Sequence, residues 1–232
     1  MTPSRASVPV LLISGAGLPA WIWDATRRTI GDTHETHVAA RPSQGEEARL
    51  RDYVDAALRS APSGPFAVVA HSAGGLVGLE LARLHPDRVT ALLAVSAVVP
   101  EPGGSFVSAM PVPQRWVLSL ALRFAGTRPP DAAVRRGLAG GLDAVTTERI
   151  VADLVTESPA LYRDLTTKGA WSGPRGYVST TQDRELSASL QRTFAGRLGG
   201  SWADELATGH LPMLEQPDAL AQTIRRFLAA HP

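Results

Sequence analysis

The stretch Val68-Val-Ala-His-Ser-Ala-Gly-Gly75, which continues as LVGLELARLHP to Pro86, decides how the rest of the chain is read. An apolar run ends in one Ser, a Gly pair follows, and a helical pattern begins. A strand that turns straight into a helix needs a very tight bend, and only small residues fit around it. Ala70 and Gly74 stand two residues before and two after Ser72, where bulk would collide with neighbouring backbone. The pattern A-x-S-x-G is a near relative of G-x-S-x-G, a turn that lifts a hydroxyl clear of a sheet edge with backbone N–H groups beside it. A Ser before a helix also serves as an N-cap. The small flanking residues favour the exposed-hydroxyl reading.

Outward from this turn, short apolar runs alternate with helical patterns. Strands are expected near 8–14, 35–40, 65–71, 90–97, 176–181 and 202–207, and helices near 20–30, 45–60, 73–85, 186–197 and 215–229. The third and fourth strands are continuously apolar, as in a parallel sheet buried on both faces. The fold class is therefore α/β, with about six mostly parallel strands flanked by helices. From 98 to 174 the alternation stops. This stretch opens with VVPEPGGSF and MPVP, then turns helical. Pro113 suits the first turn of a helix that ends at Gly126, and Ser158-Pro159 reads as an N-cap followed by the first helical residue. The expected organisation is a core of 1–97 and 175–232 with a helical cap, 98–174, inserted over the C-terminal edge of the sheet. Open α/β sheets bind ligands at that edge.

An exposed Ser is a weak nucleophile until a base takes its proton, and a carboxylate must hold that base in the right tautomer. His210, in ATGHLPMLEQP, lies between the last strand and the last helix, in a loop that reaches the edge carrying Ser72. Asp183 follows the strand GYVSTT, again at a strand's C-terminal end; Glu101, just after the fourth strand, is the alternative acid. The first strand ends in ISGAGLPAWIW, whose small residues let backbone N–H groups approach a developing negative charge. The N–H groups of Ala16 and Ala73 are the expected oxyanion donors.

These motifs, together with SAVVPEPG, YVSTTQDREL and GHLPMLEQP, resemble the α/β-hydrolase superfamily, in particular its small branch of methylesterases, related bacterial esterases and hydroxynitrile lyases. The resemblance covers most of 8–100 and 175–230 and leaves the cap unassigned. It implies an α/β-hydrolase fold with Ser72 as nucleophile, His210 as base, Asp183 as its orienter, and Ala16 and Ala73 as oxyanion donors. The order Ser, Asp, His along the chain is that of the superfamily. Two positions depart from its pattern: Ser14 stands where a His usually precedes the Gly, and Ala70 replaces the first Gly of the elbow. The similar hydroxynitrile lyases carry Lys after the catalytic His and Thr at the position of Gly15. Leu211 and Gly15 here point to ester hydrolysis instead.

Composition narrows the alternatives. The net charge of +1 over 232 residues provides no field to recruit nucleic acid or an anionic membrane. The chain has no cysteine, which excludes thiolate metal sites and a Cys nucleophile, and its single lysine, Lys168, leaves little room for Schiff-base chemistry. The N-terminal apolar run VPVLLI is too short for a signal peptide core, and no segment approaches the ~20 apolar residues of a membrane helix. A cytoplasmic location is expected. His34-Glu-Thr-His37 falls one residue short of the H-E-x-x-H zinc motif. Gly15-Ala-Gly-Leu-Pro-Ala20 matches the dinucleotide fingerprint, with Arg41 roughly where a ribose-binding acid should stand. The dinucleotide reading leaves the elbow unexplained. His71 reads as a packing residue, because adjacent side chains in an elbow diverge, and His85 and His231 read as surface positions.

The sequence thus predicts a serine hydrolase acting on a small, mainly apolar carboxylic ester, thioester or lactone. It needs no cofactor or metal, engages neither nucleic acid nor membrane, and is expected as a monomer or homodimer. Gly17, Leu18, Phe106, Met110, Trp116, Trp171 and Leu211 are candidate substrate contacts, and Leu120 and Phe124 are further candidates for the pocket wall. The alternatives are a lyase, cyclase or cofactor-free oxygenase that uses the same triad for proton transfer, and a ligand receptor that has lost turnover.

Overall fold

Six short runs, three of them (VLLI, FAVVAH and VTALLAV) rich in Val, Leu, Ala and Ile, pair into one sheet in the computed structural model, which describes residues 7–231. The strands are β1 (Val10–Ile13), β2 (Thr36–Val38), β3 (Phe66–His71), β4 (Val89–Val95), β5 (Arg175–Thr180) and β6 (Trp202–Leu206). Their order is β2-β1-β3-β4-β5-β6, and every neighbouring pair is parallel. All six expected strands are present, each within a few residues of its predicted bounds. The outer limits of the expected core, residues 1 and 232, lie outside the described residues.

The helices are α1 (Asp24–Gly31), α2 (Leu50–Ser60), α3 (Gly74–Leu84), α4 (Phe106–Ala109), α5 (Val112–Phe124), α6 (Asp131–Arg136), α7 (Ala144–Asp153), α8 (Pro159–Arg163), α9 (Ala188–Leu198), α10 (Pro212–Glu215) and α11 (Pro217–Ala230). Helices α4 to α8 all lie between β4 and β5. Three expected helices are broken rather than continuous. Residues 20–23 and 45–47 form single 3-10 turns ahead of α1 and α2, and Gln216 separates α10 from α11 at φ −141° and ψ 64°. Pro217 accounts for the last break, since the residue before a proline is pushed out of helical backbone. At α2, the Asp52 carboxylate accepts from the Arg49 N–H at 2.7 Å and fixes the start of the helix there.

Strand periodicity divides the core in two. Leu11 and Ile13 face one side of the sheet with Phe66, Val68 and Ala70, packing against α2, α3 and α9. Val10 and Leu12 face the other side with Ala67 and Val69, in the cluster that includes Ile224 and Phe227 of α11. Strand β3 is buried along its whole length, and so is α3 from Gly74 to Ala82. The strand order reverses direction between β1 and β3. Loops leaving those two strands therefore diverge above the sheet and open a crevice at its C-terminal edge.

A tight approach beneath α3 fixes the entry to that crevice. A Cβ on Gly74 would lie 2.6 Å from the Ser14 carbonyl oxygen and 2.9 Å from that of Ile13. Both obstacles are backbone and cannot swing away. Replacing a helical Gly by Ala ordinarily stabilises by about 1 kcal/mol, whereas overpacking of this kind costs about 1–3 kcal/mol. Gly74→Ala is therefore expected to be net destabilising, seen as a lower urea midpoint with an unchanged slope; a raised midpoint would contradict the close approach.

Candidate active site

Ser72 sits between β3 and α3 with φ +52°, a left-handed conformation that is strained for a non-glycine residue. Its carbonyl accepts from the N–H groups of Gly75 and Val98, both at 3.0 Å, and its own N–H donates to the Val95 carbonyl at 3.3 Å. The strained turn is thus tied to the end of β4 and to the first turn of α3. The side chain is left partly exposed at the sheet edge.

His210 and Asp183 come to this edge from the loops after β6 and β5. His210 Nε2 lies 2.9 Å from Ser72 Oγ, and His210 Nδ1 lies 2.7 Å from Asp183 Oδ2. A carboxylate on Nδ1 places the imidazole proton on that nitrogen, so the Nε2 lone pair faces the hydroxyl and can take its proton. Asp183 Oδ2 also accepts from Ser96 Oγ and, at 2.9 Å, from Thr180 Oγ1. Its Oδ1 accepts from the N–H groups of Glu185 at 2.8 Å and Leu186 at 2.9 Å. Burial works to raise the Asp183 pKa. The hydrogen bond and charge of His210, with the hydrogen bonds from Ser96 and the Leu186 N–H, outweigh it and hold the carboxyl well below the usual carboxylate range. Glu101, the alternative acid, is 70% exposed and pairs with Arg197 at 3.0 Å, away from His210.

The turn after β1 closes with the Leu18 N–H donating to the Gly15 carbonyl at 3.2 Å, and Gly17 takes φ +71°, which glycine adopts without strain. A Cβ on Gly15 would lie 2.8 Å from Ser72 Cβ, so this turn lies directly against the elbow. Ala16 and Ala73 both face the cavity that contains Ser72. Among the described residues, neither of their N–H groups donates to a protein acceptor. Ser14, the departure from the resembled pattern, accepts from Trp23 Nε1 at 3.0 Å, which ties the turn to the core.

A cavity of about 430 Å³ rises from Ser72 and His210 to the inserted helices. Gly17, Leu18, Phe106 and Met110 line it as expected from the sequence, and Leu118, Ala121 and Leu122 of α5, with Tyr162 and Glu185, complete much of the wall. Five expectations need correction here. Trp116, Leu120 and Phe124 are 71%, 60% and 75% exposed: spaced four residues apart, they share the outer face of α5, and the opposite face meets the cavity. Trp171 is buried in the core with its ring packed over Gly173. Leu211 is fully buried in the other core cluster, while its carbonyl accepts from Leu214 and Glu215 to begin α10.

Sequence reasoning missed Ser96, Thr180 and Gln191, which surround Asp183. Ser96 and Thr180 follow or end apolar strands at the same edge, and that position is the signal that could have found them. Gln191 is buried in α9 and donates from Nε2 to the Thr180 carbonyl at 2.9 Å while accepting from the Thr180 N–H at 2.9 Å. Nothing in the helical pattern of α9 marks it out.

The other singled-out groups are accounted for locally. His34 Nδ1 lies 2.9 Å from the Val8 carbonyl oxygen, and His37 pairs with Glu35 at 2.8 Å. Among the described residues no three His, Asp or Glu side chains are placed to hold a metal ion. His85 is half-buried rather than on the surface, with Nε2 enclosed. Arg41 pairs with Glu157 at 2.7 Å and donates to the Leu18 carbonyl at 2.6 Å. Among the described residues no helix is long and apolar enough to cross a membrane.

Fold and site together define the class. The model of the alpha/beta hydrolase family matches residues 10–223. The chain belongs to the alpha/beta hydrolase family. Its fold is similar to that of an extracellular alpha/beta-hydrolase from a Paenibacillus species, described as sharing structural and functional homology with tobacco salicylic acid binding protein 2, at TM-score 0.84 and 16% identity over 94% of this chain and 98% of that one. It is also similar to a pyrethroid hydrolase from Sphingobium faniae, at TM-score 0.69 and 20% identity over 97% and 98% of the two chains. A third similar fold is tomato methylketone synthase I, at TM-score 0.77 and 14% identity over 98% and 100%.

His71 is fully buried, and its Nε2 donates to the His210 carbonyl at 2.8 Å. Burial first, and the nearby His210 second, push its pKa down to about 3. Unfolded, it protonates below about pH 6.5. The unfolded state therefore binds the extra proton between these values, and stability present above pH 6.5 falls as the pH drops towards 3. Urea titrations of His71→Gln across this range are expected to lack about 1.4 kcal/mol per pH unit of the wild-type slope. Parallel slopes for the two proteins would contradict a neutral, buried His71.

Proposed function

We propose that the chain is a serine hydrolase that cleaves small, mainly apolar carboxylic esters, thioesters or lactones through an acyl-enzyme on Ser72. The observation that carries this reading is the continuous Ser72–His210–Asp183 hydrogen-bond chain, at 2.9 and 2.7 Å, on the floor of an apolar cavity. His210 takes the Ser72 proton as Oγ attacks the carbonyl, and Asp183 stabilises the imidazolium. The N–H groups of Ala16 and Ala73 hold the oxyanion, each contributing about 3–4 kcal/mol at the transition state. His210 then returns the proton to the leaving alcohol or thiol. It next activates a water that releases the acyl group as a carboxylic acid. No cofactor enters these steps.

The inserted helices act as a cap, and the apolar wall formed by Leu118, Ala121, Leu122 and Val134 receives the acyl chain. The pyrethroid hydrolase among the similar folds supports the choice of a hydrolytic reaction. Gly15 supports hydrolysis over cyanohydrin cleavage, because a side chain at that position would meet Ser72 Cβ.

Fluorophosphonate labelling tests the nucleophile. Wild type is expected to label, Ser72→Ala and His210→Ala are not, and folded wild type that stays unlabelled would sink the proposal. With p-nitrophenyl esters as substrates, Asp183→Asn is expected to lower kcat on the order of 10⁴-fold, because Nδ1 loses the partner that fixes its proton. The acyl pocket is tested by Leu122→Trp. It should lower kcat/KM for hexanoate esters by roughly tenfold or more and leave acetate esters nearly unchanged. An equal loss on both esters would place the acyl chain elsewhere.

A further inference from the structure

Glu157 lies outside the Ser–His–Asp chain, just ahead of α8, and its side chain is only 5% exposed. Three donors from the core converge on its carboxylate. The Gly17 N–H donates to Oε1 at 2.8 Å, Arg41 Nε donates to Oε1 at 2.7 Å, and the Tyr53 hydroxyl donates to Oε2 at 2.6 Å. The backbone of Glu157 is itself fixed: its N–H donates to Thr127 Oγ1 at 3.0 Å, and its carbonyl accepts from the same hydroxyl at 2.6 Å.

These contacts all bear on the turn after β1. Gly17 is held through its N–H by Glu157 and through its carbonyl by the Val155 N–H at 3.1 Å; Leu18 is held through its carbonyl by Arg41 at 2.6 Å. A second cavity, of about 210 Å³, adjoins the same turn and is lined by Ala16, Leu18, Arg41, Tyr53, Ala73 and Glu157. Ala16 and Leu18 line both cavities, so at these two residues the turn has open space on the Ser72 side and on the Glu157 side. Gly15 packs against the elbow and Gly17 against Leu154 and Val155, and the polar contacts add to this packing. Glu157 is buried but its partner Arg41 is 34% exposed, and an ion pair of this kind adds little net stability. The geometry it imposes on Gly17 and Leu18 is the better account of its presence.

We infer that Glu157, backed by Arg41 and Tyr53, is a positioning residue that holds the Ala16 N–H at its distance from Ser72 Oγ. The inference rests on the serine hydrolase reading above. It also gives the inserted helices a part in the chemistry, because Glu157 belongs to them and the turn belongs to the sheet.

The test uses the full chain and compares wild type, Glu157→Gln and Glu157→Ala. Active sites are titrated with a fluorophosphonate, and kcat per titrated site and KM are measured on a p-nitrophenyl ester. Inhibition is measured with an alkyl boronic acid, whose adduct mimics the tetrahedral oxyanion, and with the product carboxylic acid. Glu157→Ala is expected to lower kcat per site on the order of 10²-fold, with KM little changed, boronate affinity lost in parallel and product affinity unchanged. Glu157→Gln keeps an oxygen for the Gly17 N–H but loses the charge, so a loss of roughly fivefold in both kcat and boronate affinity is expected. Since Gln is isosteric and keeps the fold, it decides the question even where Ala does not fold. Wild-type kcat per site and boronate affinity in Glu157→Gln, with fewer titratable sites or not, would overturn the inference alone. Wild type that cannot be titrated would overturn the hydrolase reading, and this inference with it.

Discussion

The first turn of α3 runs so close to the ends of β1 and β4 that side chains have no room between them. A Cβ on Gly74 meets the Ser14 and Ile13 carbonyls, and one on Gly75 would lie 2.7 Å from the Val98 carbonyl oxygen. This contact leaves Ser72 a single way to connect strand to helix, at φ +52°. The strain is offset by two N–H groups on the Ser72 carbonyl and by the burial of β3 and α3 on either side. The hydroxyl is thereby presented in a fixed direction before any partner reaches it. His210 and Asp183 then need only be delivered by the loops after β6 and β5, which the parallel sheet brings to the same edge.

What could be read from the sequence follows from how local each determinant is. The elbow, the six strands and the Ser, Asp and His positions were legible because each depends on a few adjacent residues: small residues around Ser72, continuous apolar runs, and polar groups placed just after strands. The cavity wall was legible only in part: Gly17, Leu18, Phe106 and Met110 line it as expected, but the contribution of α5 was misplaced. Trp116 and Leu122 lie six residues apart on α5, and the apolar character of both is equally visible, yet one faces solvent and the other the cavity. The orientation of α5 is set by what the helix packs against, and neither its periodicity nor its composition encodes that. The same holds for Trp171, whose place in the core depends on Gly173 and on contacts distant in the chain.

Buried polar groups formed the other unread layer. Ser96, Thr180 and Gln191 converge on Asp183, and Arg41, Tyr53 and Glu157 converge on the turn after β1, across separations of up to 140 residues. Arg41 stood out in the sequence for a different reason, as the residue found roughly where a dinucleotide-binding acid should stand; its place beside Glu157 assigns its charge to an internal partner. In each network, polar groups without enough local partners are satisfied by elements brought together only in the folded chain. Buried charge at this site thus orients groups, and the Ser72 hydroxyl faces an apolar cavity.

The most direct test of a serine nucleophile is to catch the covalent intermediate. Wild type mixed with p-nitrophenyl butyrate, quenched in acid within the first turnovers and digested with trypsin, should give the peptide of residues 60–83 heavier by one butyryl group, with the added mass on Ser72. Turnover of the ester under the same conditions with no acylated Ser72 peptide, and no burst of p-nitrophenol, would contradict the acyl-enzyme route.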